Sequence, residues 1–154
     1  MRRYRQRGLS LIELIVAFTI LILLTAMAVP LARYKVQRDK ERDLTYALRE
    51  VRTAIDKFKD DMDAGKIGPA KLDSDNYPES LDQLVEGAKA TGAVDKKIKY
   101  LRRIPRDPMT KSHEWGLRST RDDPKGQAWG GQNVFDVYTK SMDKAKDGTP
   151  YSEW

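Results

Sequence analysis

The sequence predicts an α+β protein: a long N-terminal helix, membrane-spanning in its first half, packed on a small antiparallel β-sheet head. Three observations predict it. Leu9 to Leu31 is an almost unbroken apolar run. Leu44, Leu48, Val51, Ile55, Phe58 and Met62 then recur at intervals of 4, 3, 4, 3 and 4, the repeat of one helix face. Near the end, His113 to Ser119 and Asn133 to Thr139 alternate in the manner of half-buried strands. The natural segments are a leader at 1–8, an apolar helix at 9–31 and a head at 32–154 that includes the second half of the long helix.

A bilayer core about 30 Å thick needs about 20 mainly apolar residues in a helix, and the run from Leu9 meets that length. Its polar members are Ser10, Glu13, Thr19 and Thr25. The hydroxyls can return to the helix backbone at little cost. Glu13 has no such escape, and a carboxylate inside an apolar span is by default a functional candidate in need of a partner. The leader holds Arg2, Arg3, Arg5 and Arg7 and no acid, which places the N-terminus in the cytoplasm and the head across the membrane.

Three readings fit this stretch: a plain single-pass anchor, a secretory signal peptide cut after Ala26-Met27-Ala28, and a prepilin-type signal. The third is carried by particular residues. A short basic leader ending in Gly8, an apolar Leu9 and Glu13 four positions later resemble the signal of type IV pilins and type II secretion pseudopilins. Pro30 sits where that family often has a proline.

The chain has 154 residues, so removal of the anchor leaves enough for one small domain. Lys and Arg number 29 against 23 Asp and Glu. The leader alone holds four of the 29, so the remainder is nearly neutral, at about +2, and the basic balance is a targeting feature that gives no case for nucleic-acid binding. There is no cysteine, which excludes disulfide staples and thiolate chemistry.

Beyond the apolar run, Pro30 deletes a helix hydrogen bond and predicts a kink or local unwinding. Leu31 to Met62 continues as helix, with Arg42, Arg49, Arg52, Asp56, Lys59 and Asp60 opposite the apolar stripe. That stripe suits the face of a helix lying on its own sheet better than a coiled-coil seam. The helix thus runs for some 50 residues, roughly 80 Å. Ala64 to Tyr77, rich in Gly, Asp and Asn, is a loop. Pro78 to Gly87 is a short helix with proline in its first turn and glycine at its stop. Ala88 to Lys97 reads as a loop of small residues, and Ile98 to Leu101 as a brief extended piece. Pro105 and Pro108 exclude helix and central strand from the connector Tyr100 to Pro108. The two strands then form a hairpin around a polar loop, and the tail from Lys140 is irregular, with Tyr151 and Trp154 packed back on the head.

The connector narrows the resemblance. A tyrosine-proline start to the short helix, Tyr77-Pro78, and the pattern L-x-x-I-P-x-D-P from Leu101 to Pro108 are similar to the major, G-type pseudopilins of type II secretion, although Met109 and Thr110 stand where many members have Trp-Gly. The resemblance implies a pilin-like fold and cleavage after Gly8 by a prepilin peptidase, with methylation of the new N-terminus at Leu9. It also implies a helical homopolymer in which Glu13 of one subunit meets the α-amine of its neighbour, and a stretched segment before Pro30. The implied partners are copies of the chain, minor pseudopilins and an inner-membrane assembly platform. The implied location is the bacterial inner membrane, with a periplasmic head and a periplasmic filament when assembled. A type IV pilus subunit, and an anchored or secreted periplasmic binding domain or enzyme, stay open as alternatives.

Sites for chemistry are scarce. G-type pseudopilins often hold calcium in the loop after the last strand. Here that loop offers Asp143, Asp147 and Glu153 among Lys140, Lys144 and Lys146, a poor surplus of negative charge for six to eight oxygen ligands. No cofactor and no metal are therefore expected. His113, the one histidine, is expected to be a surface or packing residue. Asp122-Asp123 in a Gly/Pro loop is expected to be solvated. Arg102, Arg103 and Arg106 form a basic cluster that suits solvent or acidic groups of a neighbouring subunit. No catalytic residue is expected, and the chain reads as a peptidase substrate that catalyses nothing.

Overall fold

The computed structural model describes residues 10–92 and 95–154. The chain divides into two units, Met1–Asp39 and Lys40–Trp154. One helix, α1 (Leu11–Asp63), runs through both. Within the first unit the described residues are helical from Leu11, and their large apolar side chains are exposed. Thr19 and Thr25 return their hydroxyls to the carbonyls of Ile15 and Leu21 at 2.8 and 2.7 Å, which satisfies both on an apolar surface. The helix is unbroken through Pro30, so the local unwinding expected there is not found in the single chain. Proline removes one amide donor, and the surrounding ladder of bonds carries the helix past it.

In the second unit the predicted stripe is the core. Leu44, Leu48, Val51, Ile55 and Phe58 are buried, and Ala47 and Ala54 fill the turns between them. Met62, at the end of the stripe, packs against the cluster only in part. Ile67, Leu81, Leu84, Leu101, Trp115, Val134, Val137 and Tyr151 complete the cluster.

The remaining elements are short. Helix α2 (Leu81–Glu86) is capped by Ser80, whose hydroxyl accepts from the Gln83 amide, while the Gln83 side chain accepts from the Glu79 amide at 2.8 Å, a near relative of the capping box. Pro78 therefore precedes the cap instead of occupying the first turn. Its carbonyl accepts from the Val134 amide at 2.7 Å. Gly87 ends the helix at φ 87°, and a Cβ there would lie 2.7 Å from the Ile98 carbonyl, so only glycine fits.

The expected loop at 88–97 opens on one short strand and closes on the first residue of another, which runs on into the extended piece expected from Ile98. β1 (Ala88–Lys89) pairs antiparallel with β2 (Lys97–Ile98), Ala88 opposite Ile98. A second ladder joins β3 (Gly116–Arg118) to β4 (Asp136–Tyr138), also antiparallel, with Leu117 opposite Val137. The predicted seven-residue strands shrink to three because their flanking amides are satisfied elsewhere. Ser119 donates to the Asp122 carboxylate at 2.7 Å, and Val134 donates to Pro78. At Gly116 a Cβ would overlap the Tyr138 ring, 2.2 Å from its nearest carbon, so the ladder closes only around glycine.

Two polar hubs tie these pieces to α1 and to the connector. Asp136 accepts from Arg52 Nε at 2.7 Å and lies 3.6 Å from Arg118, while Arg52 also donates to the Trp154 carbonyl at 2.8 Å. Arg118 donates to the Ser152 carbonyl and stacks 4.2 Å over the Tyr138 ring. Arg52, expected on a solvated face, is thus half-buried in a cross-link. The second hub is Asp107, fully buried. Its carboxylate accepts from the Met109 amide and from the Thr110 and Thr139 hydroxyls. It joins the proline connector to the end of β4.

Replacing Asp107 with Ala leaves the buried Thr139 hydroxyl and the half-buried Met109 amide without their acceptor, a loss of about 3 kcal/mol, whereas Asp107→Asn retains one acceptor oxygen and loses less. Thermal unfolding of the full chain in detergent should rank the melting temperatures as wild type, Asn, Ala. Equal melting temperatures would remove Asp107 from the hub role.

Candidate functional site

The sequence points to the N-terminal end of α1, and that is where the apolar surface lies. Glu13 is the third residue of α1 and lies in its first turn, where a negative side chain is favoured by the helix dipole. Ser10 precedes the helix, and its carbonyl accepts the first bond, from the Leu14 amide at 3.1 Å. Glu13 is exposed, and among the described residues it has no hydrogen bond or ion pair within the chain. Around and beyond it Leu11, Ile12, Leu14, Ile15, Val16, Phe18 and their successors are open. The helix is long and apolar enough to cross a membrane. Pro30 lies near the far end of the same surface. Gly8 and Leu9, the expected processing pair, fall outside the described residues, as do the leader arginines.

Among the described residues this surface has no partner within the chain. It places one acid at the head of an apolar helix that needs either lipid or other helices around it.

The other candidates have local tasks. His113 Nδ1 lies 3.1 Å from the Ile104 carbonyl, and the neighbouring Trp115 indole donates to the Pro105 carbonyl at 3.0 Å. Both clasp the connector to the start of β3. Asp122 accepts from the Ser119 and Gly130 amides and so closes the long loop between β3 and β4. Asp123 accepts from the Lys125 amide at 2.9 Å. The two acids are turn-formers that point to different partners. Arg106 donates to the Lys111 carbonyl, and Arg102 and Arg103 are exposed.

In the tail, Asp147 accepts from the Thr149 amide at 2.9 Å, Glu153 lies 3.8 Å from Lys125, and Lys140 lies 3.4 Å from Glu114. Among the described residues no three acidic or histidine side chains converge. Asp147 and Glu153 each turn to a neighbour of their own, whereas calcium takes six to eight oxygens.

The chain matches, over residues 3–29, the family model for the prokaryotic N-terminal methylation motif. That match supports a type IV pilin-like or pseudopilin protein. The motif implies processing by a prepilin peptidase and polymerisation into pilus-like filaments. No curated protein and no solved structure matches the chain significantly.

Ionisable groups at the edge of the head follow their partners. The Lys66 ammonium, and then the Tyr100 hydroxyl, hold the Asp61 carboxyl below the ordinary range. Lys59, then Asn76, does the same for Asp63. The amides of Ser119 and Gly130 lower Asp122. Burial, followed by the bond to Asp61, raises the Tyr100 phenol, and Asp63 raises Lys59.

A carboxyl whose value is lowered by folding stabilises the fold above its unfolded value, about 4, and loses that contribution as pH falls through the folded value. A raised lysine or phenol contributes below its unfolded value, about 10, and loses the contribution as pH climbs beyond it. The melting temperature should therefore be nearly flat from about pH 5 to pH 9 and fall on both sides. Asp63 and Lys66 are exposed and the other groups only half-buried, so salt at about 0.5 M should shrink both slopes without abolishing them. A melting temperature still rising as pH drops through 4 would contradict the assignment.

Proposed function

We propose that this chain is a structural subunit of a type II secretion pseudopilus, of the major, G-type class, processed by a prepilin peptidase and polymerised to drive protein export. The single observation that carries the filament reading is the methylation motif at 3–29, whose described part from Leu11 lies on an exposed apolar helix with one acid in its first turn. The G-type assignment is supported by the connector from Leu101 to Pro108. Its proline-fixed course and buried Asp107 build it into the head.

In this reading the subunit waits in the inner membrane with its N-terminus cytoplasmic and its head periplasmic. Cleavage after Gly8 frees the α-amine of Leu9. In the filament that amine lies beside Glu13 of the next subunit, because two charges that are each costly in lipid become less so together. Packing of the Leu9–Pro30 surface among copies supplies cohesion, and Glu13 sets register. The Pro30 region is where the helix can lengthen on assembly. The chain performs no catalysis of its own, and it works through copies of itself, minor pseudopilins and the assembly platform. A surface type IV pilus uses the same subunit physics, and fibres on the cell surface with secretion intact in a deletion strain would favour it.

Intact mass and N-terminal sequence of the mature protein test the reading first. The expected start is N-methylated Leu9; a start at Val29, after Ala26-Met27-Ala28, would mean an ordinary secreted domain. Glu13→Ala should leave membrane insertion and cleavage in place. Loss of a desolvated partner costs about 3–5 kcal/mol, so filament yield in sheared or cross-linked fractions should drop by more than about tenfold. Normal filaments from that variant would sink the register role.

A further inference from the structure

A second feature of α1 lies just past its apolar run. Between Glu13 and Asp39 the sequence contains no acid, yet it contains Arg33, Lys35 and Arg38. All three are exposed on α1, and among the described residues none of them is held in a hydrogen bond or ion pair. At about 100° per residue, Lys35 lies about 200° and Arg38 about 140° around the axis from Arg33. The charges are therefore distributed around the helix and do not form a one-sided stripe. A single protein partner approaches one side of a helix, whereas a lipid headgroup layer surrounds it.

The heights agree with this. Leu11 to Leu31 rises about 30 Å, the thickness of a bilayer core, and Arg33 to Arg38 rises a further 7 Å or so, about the depth of the headgroup zone. Tyr34, 49% exposed, belongs to the residue class enriched at that level.

We propose that Arg33, Lys35 and Arg38 form a collar that binds the phosphates of anionic phospholipids in the leaflet on the head's side of the membrane. This rests on the reading of Leu9–Leu31 as a membrane span. The collar fixes the depth of the helix in the bilayer while the subunit awaits assembly. It is separate from the Glu13 end, which lies on the opposite face of the membrane. A cation near a charged surface favours an anionic lipid by about fivefold.

The test is electron spin resonance of the full-length chain reconstituted in phosphatidylcholine bilayers, with spin-labelled phosphatidylglycerol or phosphatidylcholine as the probe lipid. A motionally restricted component reports that the span is in the bilayer. The expected result is a restricted fraction for both lipids, with a relative association constant for phosphatidylglycerol about fivefold above phosphatidylcholine. That ratio should return toward one in the triple variant Arg33→Gln, Lys35→Gln, Arg38→Gln, and toward one in wild type at about 0.5 M salt. Restricted lipid without preference, or a preference unchanged in the triple variant, overturns the collar and leaves the span standing. Absence of any restricted component overturns both.

Discussion

One helix carries two kinds of surface, an open apolar one that would suit lipid and an amphipathic one that builds a core. In lipid, nothing outside the segment can pair with the backbone, so the only stable form of a single pass is a helix that closes its own hydrogen bonds. In the head, the same helix must present an apolar face every three or four residues to bury a core. α1 meets both demands without a break from Leu11 to Asp63. Its side chains change character on the way, exposed apolar on all sides at first and then apolar on one side only. The head's small elements, three residues or fewer per strand, could not form alone; they exist because the α1 stripe gives them a surface to cover.

Those elements are held by few long-range polar bonds, placed where backbone pairing runs out. Arg52 and Arg118 share Asp136, and through it α1, both strands of the second ladder and the last turn meet. Asp107 does the same for a proline-rich connector that can donate few amides of its own. Asn133, also fully buried, bonds the Ser74 carbonyl and the Thr120 amide and hydroxyl, closing the first long loop on the second. In a domain with so little regular sheet, side chains take over the accounting of buried backbone groups.

What was legible in the sequence was whatever has a period. The apolar run and the 4-3-4 stripe fixed the helix and the core residues, because helical spacing alone decides which side chains share a face. Capping chemistry marked α2, although Pro78 proved to precede the cap that Ser80 provides. The strand pair was visible in position and pairing but not in length, since its ends are set by Asp122 and Pro78, contacts no local pattern encodes. β1 was hidden in a stretch of small residues, and β2 was legible only at Ile98, where the expected extended piece begins. Arg52 looked like any solvent-facing residue of an amphipathic helix, and its partner lies 84 positions away. Asp107 stood in a recognisable connector, but nothing in one sequence says that a carboxyl between two prolines is buried. At the candidate site, Glu13 was legible because an acid in an apolar span is anomalous by itself.

The bonds that fasten α1 within the second unit have a mechanical consequence. Glu41 receives the Tyr151 hydroxyl, Arg52 reaches Asp136 and Trp154, Asp61 receives the Tyr100 hydroxyl and Asp63 the Asn76 amide. They are spread over about 33 Å of helix and leave the helix sideways. Traction along the helix axis would load them together, in shear, and they would have to fail as a group. A pull across the axis would instead peel them one at a time. A subunit built this way resists force along its own length best, which is the direction in which a growing fibre would strain it.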